Sequence, residues 1–195
     1  MKFLRKNYTE QNDEQLMVLV GEHNSRAFET LYDRYSSALL NYFYRMLWQD
    51  REKAEDFMQD LFMKIVNNPL SYNPERPFKT WLYSVANNMC KNEYKKQAVR
   101  KGSNELLEGR EIQGASGLET ILALDEKTFN KALTEALEDL DPIQKETFIL
   151  RFKDEMSIKE ISEVFECSEG TVKSRIFYTL KKLAPKLKMY HPKMA

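Results

Sequence analysis

The sequence predicts an all-helical chain of two small helical domains joined by a flexible linker, the second containing a helix-turn-helix. Three observations carry that expectation. Apolar residues recur at three- and four-residue steps through most of the chain, the spacing of one face of an α-helix. Six glycines and six prolines in 195 residues, with almost no alternating β-branched runs, leave little material for a sheet. Between Gln97 and Lys127 the periodicity fades while Gly102, Ser103, Asn104, Gly109, Gly114, Ser116 and Gly117 accumulate. The division that follows is a first domain over 1–97, a linker over 98–128 and a second domain over 129–195. As a flexible coil, a linker of about thirty residues spans roughly 30 Å.

In the first domain, Leu16, Leu19 and Val20 fit a short helix that Gly21, His23 and Asn24 end. Ala27, Phe28, Leu31, Tyr32, Tyr35, Leu39, Tyr42, Phe43, Met46 and Leu47 then mark the inner face of a longer helix, and its aromatics read as core. Ala54, Phe57, Met58, Leu61, Phe62, Ile65 and Val66 form the next inward stripe, with Asp56, Gln59, Asp60 and Met63 on or near the outer face. By pattern alone those four are ordinary solvated positions. Asn67, Asn68 and Pro69 break this helix, and Pro74 and Pro77 restrict the loop that follows.

The helix from about Lys79 to Gln97 has a different character. Arg76 to Lys101 holds seven basic residues and one acidic residue, Glu93. Trp81, Leu82, Val85, Ala86, Met89 and Cys90 supply a buried face, Trp81 reading first as core. Lys79, Thr80, Tyr83, Asn87, Asn88, Lys91 and Lys95 are expected to reach outward, a mixture of amines for phosphates, amides for base edges and aromatics for stacking. The preceding loop, with Tyr72, Asn73, Arg76 and Phe78, has the residues to receive an unstacked base.

In the second domain, Ala132, Leu133, Ala136, Leu137 and Leu140 make a helix. Asp141-Pro142 fits an N-cap followed by proline, and Ile143, Phe148, Ile149 and Phe152 continue the core. Ser157 and Glu160 form a capping box that starts a short helix. A turn at Glu166, Cys167 and Ser168 leads into a second helix with Val172, Ile176, Leu180 and Leu183 on its inner stripe. Its other face carries Thr171, Lys173, Ser174, Arg175, Phe177, Tyr178, Lys181 and Lys182, side chains that bond phosphates and base edges. A solvated helical hairpin has the same shape, and charge separates the two readings. Leu133 to Glu169 holds four basic and eleven acidic residues, whereas Thr171 to Ala195 holds seven basic and none acidic. In a chain of zero net charge, that segregation is the footprint of a helix-turn-helix on DNA.

Composition narrows the rest. Cys90 and Cys167 lack companions at ligand spacing and His23 and His191 are the only histidines, so neither a disulfide framework nor a metal site is expected. No nucleophile–base pair stands out, and an enzyme, catalytic residues or a cofactor are not expected. The start is too polar for a signal peptide and no apolar run reaches the ~18 residues of a membrane span, which points to a soluble cytoplasmic protein without membrane insertion.

Four motifs in order resemble bacterial RNA polymerase sigma factors of the sigma-70 family, extracytoplasmic-function (ECF) group. AFETLYDRY (Ala27–Tyr35) is similar to the first helix of the family, AEDFMQDLFMKI (Ala54–Ile65) to its polymerase-binding segment, FKTWLYSVANN (Phe78–Asn88) to its −10-reading segment and GTVKSRI (Gly170–Ile176) to its −35-reading helix. The resemblance covers about Asp13 to Leu187 apart from the linker. It implies an alternative sigma factor that binds core RNA polymerase at the β′ clamp and β flap and directs it to promoter DNA. Asp56, Gln59, Asp60 and Met63 would grip the clamp. Lys79 to Lys95 would read and melt the −10 element, with Tyr72 to Phe78 capturing an extruded base, and Thr171 to Lys182 would read the −35 element. It also implies an anti-sigma factor that holds the protein inactive. Tyr178-Thr179 stands where the family usually has Arg-Ala, and Asn92 and Lys95 where it often has Asp and Arg, which bears on the promoter consensus. A stand-alone helix-turn-helix regulator is the alternative: it accounts for Ser157 to Leu183 but leaves Ala54 to Ile65 and the basic helix without a role.

Overall fold

The computed structural model describes residues 8–103 and 121–188, and every regular element among them is a helix. The first half holds α1 (Asp13–Gly21), α2 (Ser25–Met46), α3 (Arg51–Asn67) and α4 (Phe78–Ser103). The second holds α5 (Ile121–Glu138), α6 (Pro142–Phe152), α7 (Ile158–Val164) and α8 (Glu169–Leu187). Helix therefore occupies both ends of the expected 98–128 linker, and its middle lies outside the described residues.

Local chemistry sets most helix starts. Asn12, Asn24, Asp50, Asp141, Ser157 and Ser168 each accept, through the side chain, the backbone N–H three residues on, satisfying a donor that the first turn leaves orphaned. The Ser157–Glu160 box is complete: Glu160 N–H donates to Ser157 Oγ at 3.2 Å, and Ser157 N–H to Glu160 Oε2 at 2.8 Å.

The α2–α3 turn stores strain. Trp48 and Gln49 both take left-handed backbone angles, φ 57° and 59°, which cost a non-glycine residue roughly 1–2 kcal/mol each. Their surroundings hold them there. Gln49 N–H donates to Tyr44 O at 2.9 Å, the Trp48 ring meets Tyr94 of α4 edge-on at 5.3 Å, and Tyr94 Oη donates to Met46 O at 2.6 Å. The start of α3 is thereby fixed against α4.

The two halves share one core. Leu39, Phe43, Leu61, Phe78, Leu82, Ala86 and Cys90 of the first half belong to the same buried cluster as Ile149, Leu150, Met156, Ile161, Val164 and Val172 of the second. A smaller cluster of Leu133, Ala136, Leu137, Leu140, Phe148 and Leu183 ties α5 and α6 to α8. Helix α6 is the wedge between them: Lys145 to Leu150 are six consecutive buried residues, the mark of a helix covered on all sides.

Four residues expected in the core are exposed: Val66, Ile143, Phe152 and Leu180. Helix geometry explains two of them. At 3.6 residues per turn Leu180 lies about 80° around α8 from Val172 and Thr179 only about 20°, so Thr179 takes the inward place. It is buried and Leu180 is not. By the same arithmetic Val66 lies about 120° around α3 from Ala54. We expect Ser157→Ala to lower stability by about 1 kcal/mol, read by denaturant unfolding, because it removes the cap that starts the helix-turn-helix.

Candidate nucleic-acid interface

Three surfaces hold the residues that the sequence singles out. On α3, Asp56, Gln59, Asp60 and Met63 are all exposed, and their spacing places them on one side of the helix, away from Ala54, Leu61 and Ile65. Met63 at 57% exposure is a large apolar side chain on an otherwise acidic face, a composition suited to a partner that is both apolar and basic.

On α8, Lys173, Ser174, Phe177, Tyr178, Lys181 and Lys182 are exposed. Phe177 and Tyr178 pack edge to face at 5.3 Å and together present aromatic surface beside three lysines. Lys173 pairs loosely with Glu169 at 3.8 Å, and Lys182 donates to Gln144 Oε1 at 2.7 Å. Two residues of this set are turned inward. Thr171 supports the helix cap, its hydroxyl 2.9 Å from Ser168 Oγ, and the Arg175 guanidinium stacks 5.3 Å over the Phe165 ring. Their first task is to hold the turn between α7 and α8.

The α4 surface departs most from expectation. Lys91, Lys95, Asn88, Asn73 and Arg76 are exposed and Lys79 is half-buried, but Thr80, Tyr83 and Asn87 are buried rather than outward. In the loop, Tyr72 and Phe78 are buried too. Their rings form a cluster with Trp81, at 5.1 Å from Tyr72 and 5.7 Å from Phe78, and Tyr72 Oη donates to Arg76 O at 2.5 Å. Phe78 N–H donates to Glu14 Oε1 at 2.9 Å. These aromatics fix the loop from beneath, leaving Asn73 and Arg76 as its exposed polar groups.

What covers Tyr83 and Asn87 is the second half, through two carboxylates that sequence reasoning missed. Glu146 of α6 is 3% exposed. It accepts from Tyr42 Oη at 2.6 Å, and the Asn87 amide, oriented to satisfy its neighbours, donates to both carboxylate oxygens at 3.2–3.3 Å while accepting from Lys91 Nζ at 3.2 Å. Burial pushes the Glu146 carboxyl up to about 7, against the opposing hydrogen bond from Tyr42 and the charges of Lys91 and Arg175. Asp154, in the turn after α6, faces Tyr83, Arg45 and Lys79; burial pushes it up to about 6 although the two cations pull it down. Lys79 Nζ donates to the Asp154 carbonyl at 3.2 Å. The available signal was the segregation of charge, with a basic stretch at Arg76–Lys101 and an acidic one at Leu133–Glu169.

Among the described residues no His, Cys, Asp and Glu group is arranged to hold a metal ion, and no helix is long and apolar enough to cross a membrane. Two packed helical halves, the second a helix-turn-helix with an exposed basic reading helix, define a DNA-binding protein. Comparison with known sequences refines that class: residues 31–100 match Sigma-70 region 2 and residues 130–183 match Sigma-70, region 4. The RNA polymerase sigma-H factor of Pseudomonas aeruginosa is 27% identical over 179 residues, covering 87% of this chain and 90% of its own. The ECF RNA polymerase sigma factor SigW of Bacillus subtilis is 27% identical, covering 77% and 83%. BldN, an ECF RNA polymerase sigma factor of Streptomyces coelicolor, is 30% identical, covering 82% and 61%. Two solved structures share the fold. CnrH in complex with the cytosolic domain of CnrY has a TM-score of 0.67 at 22% identity, covering 92% of this chain and 99% of that one. The sigma factor RpoE of Bartonella quintana in complex with the anti-sigma factor NepR has a TM-score of 0.65 at 24% identity, covering 83% and 96%. The chain belongs to the sigma-70 family, in its extracytoplasmic-function group.

The raised carboxyls at the junction make stability depend on pH. The native chain keeps protons on Glu146 and Asp154 that the unfolded chain has released, so their contribution is full below the ordinary carboxylate range. It is lost as pH rises through about 6 and about 7. We expect unfolding free energy to fall between about pH 5 and pH 8, by on the order of 3 kcal/mol for Glu146, and Glu146→Gln to flatten that slope. A slope unchanged in the variant would remove Glu146 as its source.

Proposed function

We propose that this ECF sigma factor docks on core RNA polymerase through the exposed α3 face of Asp56, Gln59, Asp60 and Met63, with the β′ clamp as the surface gripped and the β flap receiving the second half. Helix α8 reads the −35 element through Lys173, Ser174, Phe177, Tyr178, Lys181 and Lys182, supported by Thr171 and Arg175. Asn73, Arg76, Lys79, Asn88, Lys91 and Lys95, with Thr80, Tyr83 and Asn87 once uncovered, read the −10 element and hold the separated strand, while Tyr72, Phe78 and Trp81 shape the loop that takes an extruded base. The observation that carries this reading is the occurrence in one chain, in order, of a region 2 match over 31–100 and a region 4 match over 130–183. A stand-alone helix-turn-helix regulator accounts for the second match and leaves the first idle.

Catalysis then belongs to the polymerase, and the protein acts where the polymerase does, in the cytoplasm. The fold relative from Bartonella quintana was solved with an anti-sigma factor bound, and a partner of that kind is proposed here too.

Run-off transcription with core polymerase, with and without the protein, tests the function: promoter-specific transcripts are expected only in its presence. Tight duplex binding by the free protein with no stimulation of core would sink it. Asp56→Ala with Gln59→Ala is expected to weaken core binding roughly tenfold in a pull-down titration and leave helicity intact. Lys173→Ala is expected to weaken use of the −35 element, and identical ranking of −35 variants by wild type and mutant would refute the role of α8.

A further inference from the structure

We propose that Tyr178, braced by Phe177, reads the methyl group of a thymine, so that the −35 element this protein selects is set by apolar contact at a T·A pair where an arginine would have set a guanine. The inference rests on the reading of α8 as the −35 helix and names the base that helix takes. At 3.6 residues per turn, Phe177 and Tyr178 lie about 140° and about 120° around α8 from Val172, on opposite sides. Ser174 and Lys181 fall between them, close to the line directly opposite Val172. Val172 is buried and these four are exposed, Phe177 at 61% and Tyr178 at 56%. The two rings meet edge to face at 5.3 Å. Each limits the other's rotation, so Tyr178 presents its ring in a set position.

The same helix keeps its guanine-reading group elsewhere. In the major groove guanine is taken most often by the two-pronged donor of an arginine, whereas thymine is marked by a methyl group that takes apolar contact. Arg175 is the one arginine of α8. It lies about 60° around the helix from Val172, on the inner side. Its guanidinium is engaged there, 5.3 Å over the Phe165 ring and 3.9 Å from Cys167 Sγ. On the flank, Lys182 donates to Gln144 Oε1 at 2.7 Å and Lys186 pairs with Asp139. The outer face is left with Lys173, loosely paired to Glu169 at 3.8 Å, and Lys181, point charges suited to phosphates. Where the family usually has Arg-Ala this chain has Tyr178-Thr179, and Thr179 is buried, so Tyr178 alone changes what the outer face offers. Exposed rings between amines match a groove with phosphates along its walls and thymine methyls on its floor. An anionic membrane or protein surface would supply the charge without a methyl at a fixed place.

The test uses the full chain with core polymerase. Templates randomised over the −35 element are selected by run-off transcription with the wild type, and the selected element is rebuilt with each thymine in turn replaced by deoxyuridine. That change removes the methyl group and leaves base pairing as it was. We expect the wild type to lose transcript roughly fourfold at the thymine that Tyr178 meets, the effect of one buried methyl. Tyr178→Ala, with helicity unchanged, is expected to be indifferent to the same replacement. Lys173→Ala should lower transcript from both templates and keep their ratio. Tyr178→Arg should move the selected base at that position to guanine. A selected element without a methyl-sensitive thymine would overturn the proposal, as would equal sensitivity in wild type and Tyr178→Ala, or an unchanged base preference in Tyr178→Arg. Absence of transcript from the wild type on every template would instead overturn the sigma reading. The methyl replacement is then read by fluorescence anisotropy on duplexes selected by the free chain: a loss of affinity seen in the wild type and absent in Tyr178→Ala supports the contact, and equal affinity of the wild type for both duplexes overturns it.

Discussion

The arrangement of this protein depends on one buried carboxyl group. Glu146 sits in the middle of α6, where Lys145 to Leu150 are all buried, and its carboxyl group lies between α2, which gives it the Tyr42 hydroxyl, and α4, which gives it the Asn87 amide. Removing a carboxylate from water is expensive enough that its partners must be placed by the fold and not by chance. Those partners come from the other half of the chain. The relative position of the two halves is consequently specified by hydrogen-bond geometry as well as by apolar area, which alone would tolerate sliding.

Around that point the rest of the structure follows in order. The α2–α3 turn, with left-handed Trp48 held by Tyr94 and left-handed Gln49 by the Tyr44 carbonyl, sets the start of α3 against α4. The Lys53–Glu93 ion pair ties the same two helices: partial burial pushes the Glu93 carboxyl up, but the hydrogen bond and charge of Lys53, with Gln97 and Lys96, hold it below its ordinary value. Helices α5 and α8 then close on the far side of α6 through Leu133, Leu137, Phe148 and Leu183. This leaves the outer face of α3 and the basic face of α8 exposed while the middle of α4 is covered.

Two helix starts were readable in the sequence because caps are chemistry between residues three apart: Asp141 with Gln144 and Ser157 with Glu160; Asn24, read as the end of α1, caps α2 as well. Helical periodicity likewise located the core of α2 and α3, and the exposed sets on α3 and α8 followed as its complement. Two origins account for most of the errors. Leu180 for Thr179 was a matter of angle, since a three-or-four step pattern is satisfied by either residue and only the summed rotation from Val172 separates them. Tyr83, Asn87 and Thr80 were different. They lie on a basic helix with outward-looking chemistry, and what buries them lies far along the chain, which no local rule reports. Tyr72 and Phe78, read as part of a loop that receives an unstacked base, are buried because the loop packs its own aromatics against Trp81.

Zero net charge in a DNA-binding protein acquires a physical meaning from this packing. Seven basic residues against one acidic over Arg76 to Lys101 complement four against eleven over Leu133 to Glu169, and the fold sets these two stretches against each other at Glu146 and Asp154. The end of α8 joins this cancellation, Lys186 pairing with Asp139 and Lys182 lying 4.0 Å from Asp141. Exposed pairs such as Lys173–Glu169, within α8, are screened at physiological salt, where the Debye length is about 8 Å, and contribute little. The buried pairs are not screened in that way. The positive charge of α4 is thus partly offset inside the fold by carboxyl groups of the second half, Lys79 facing Asp154 and Lys91 facing Glu146.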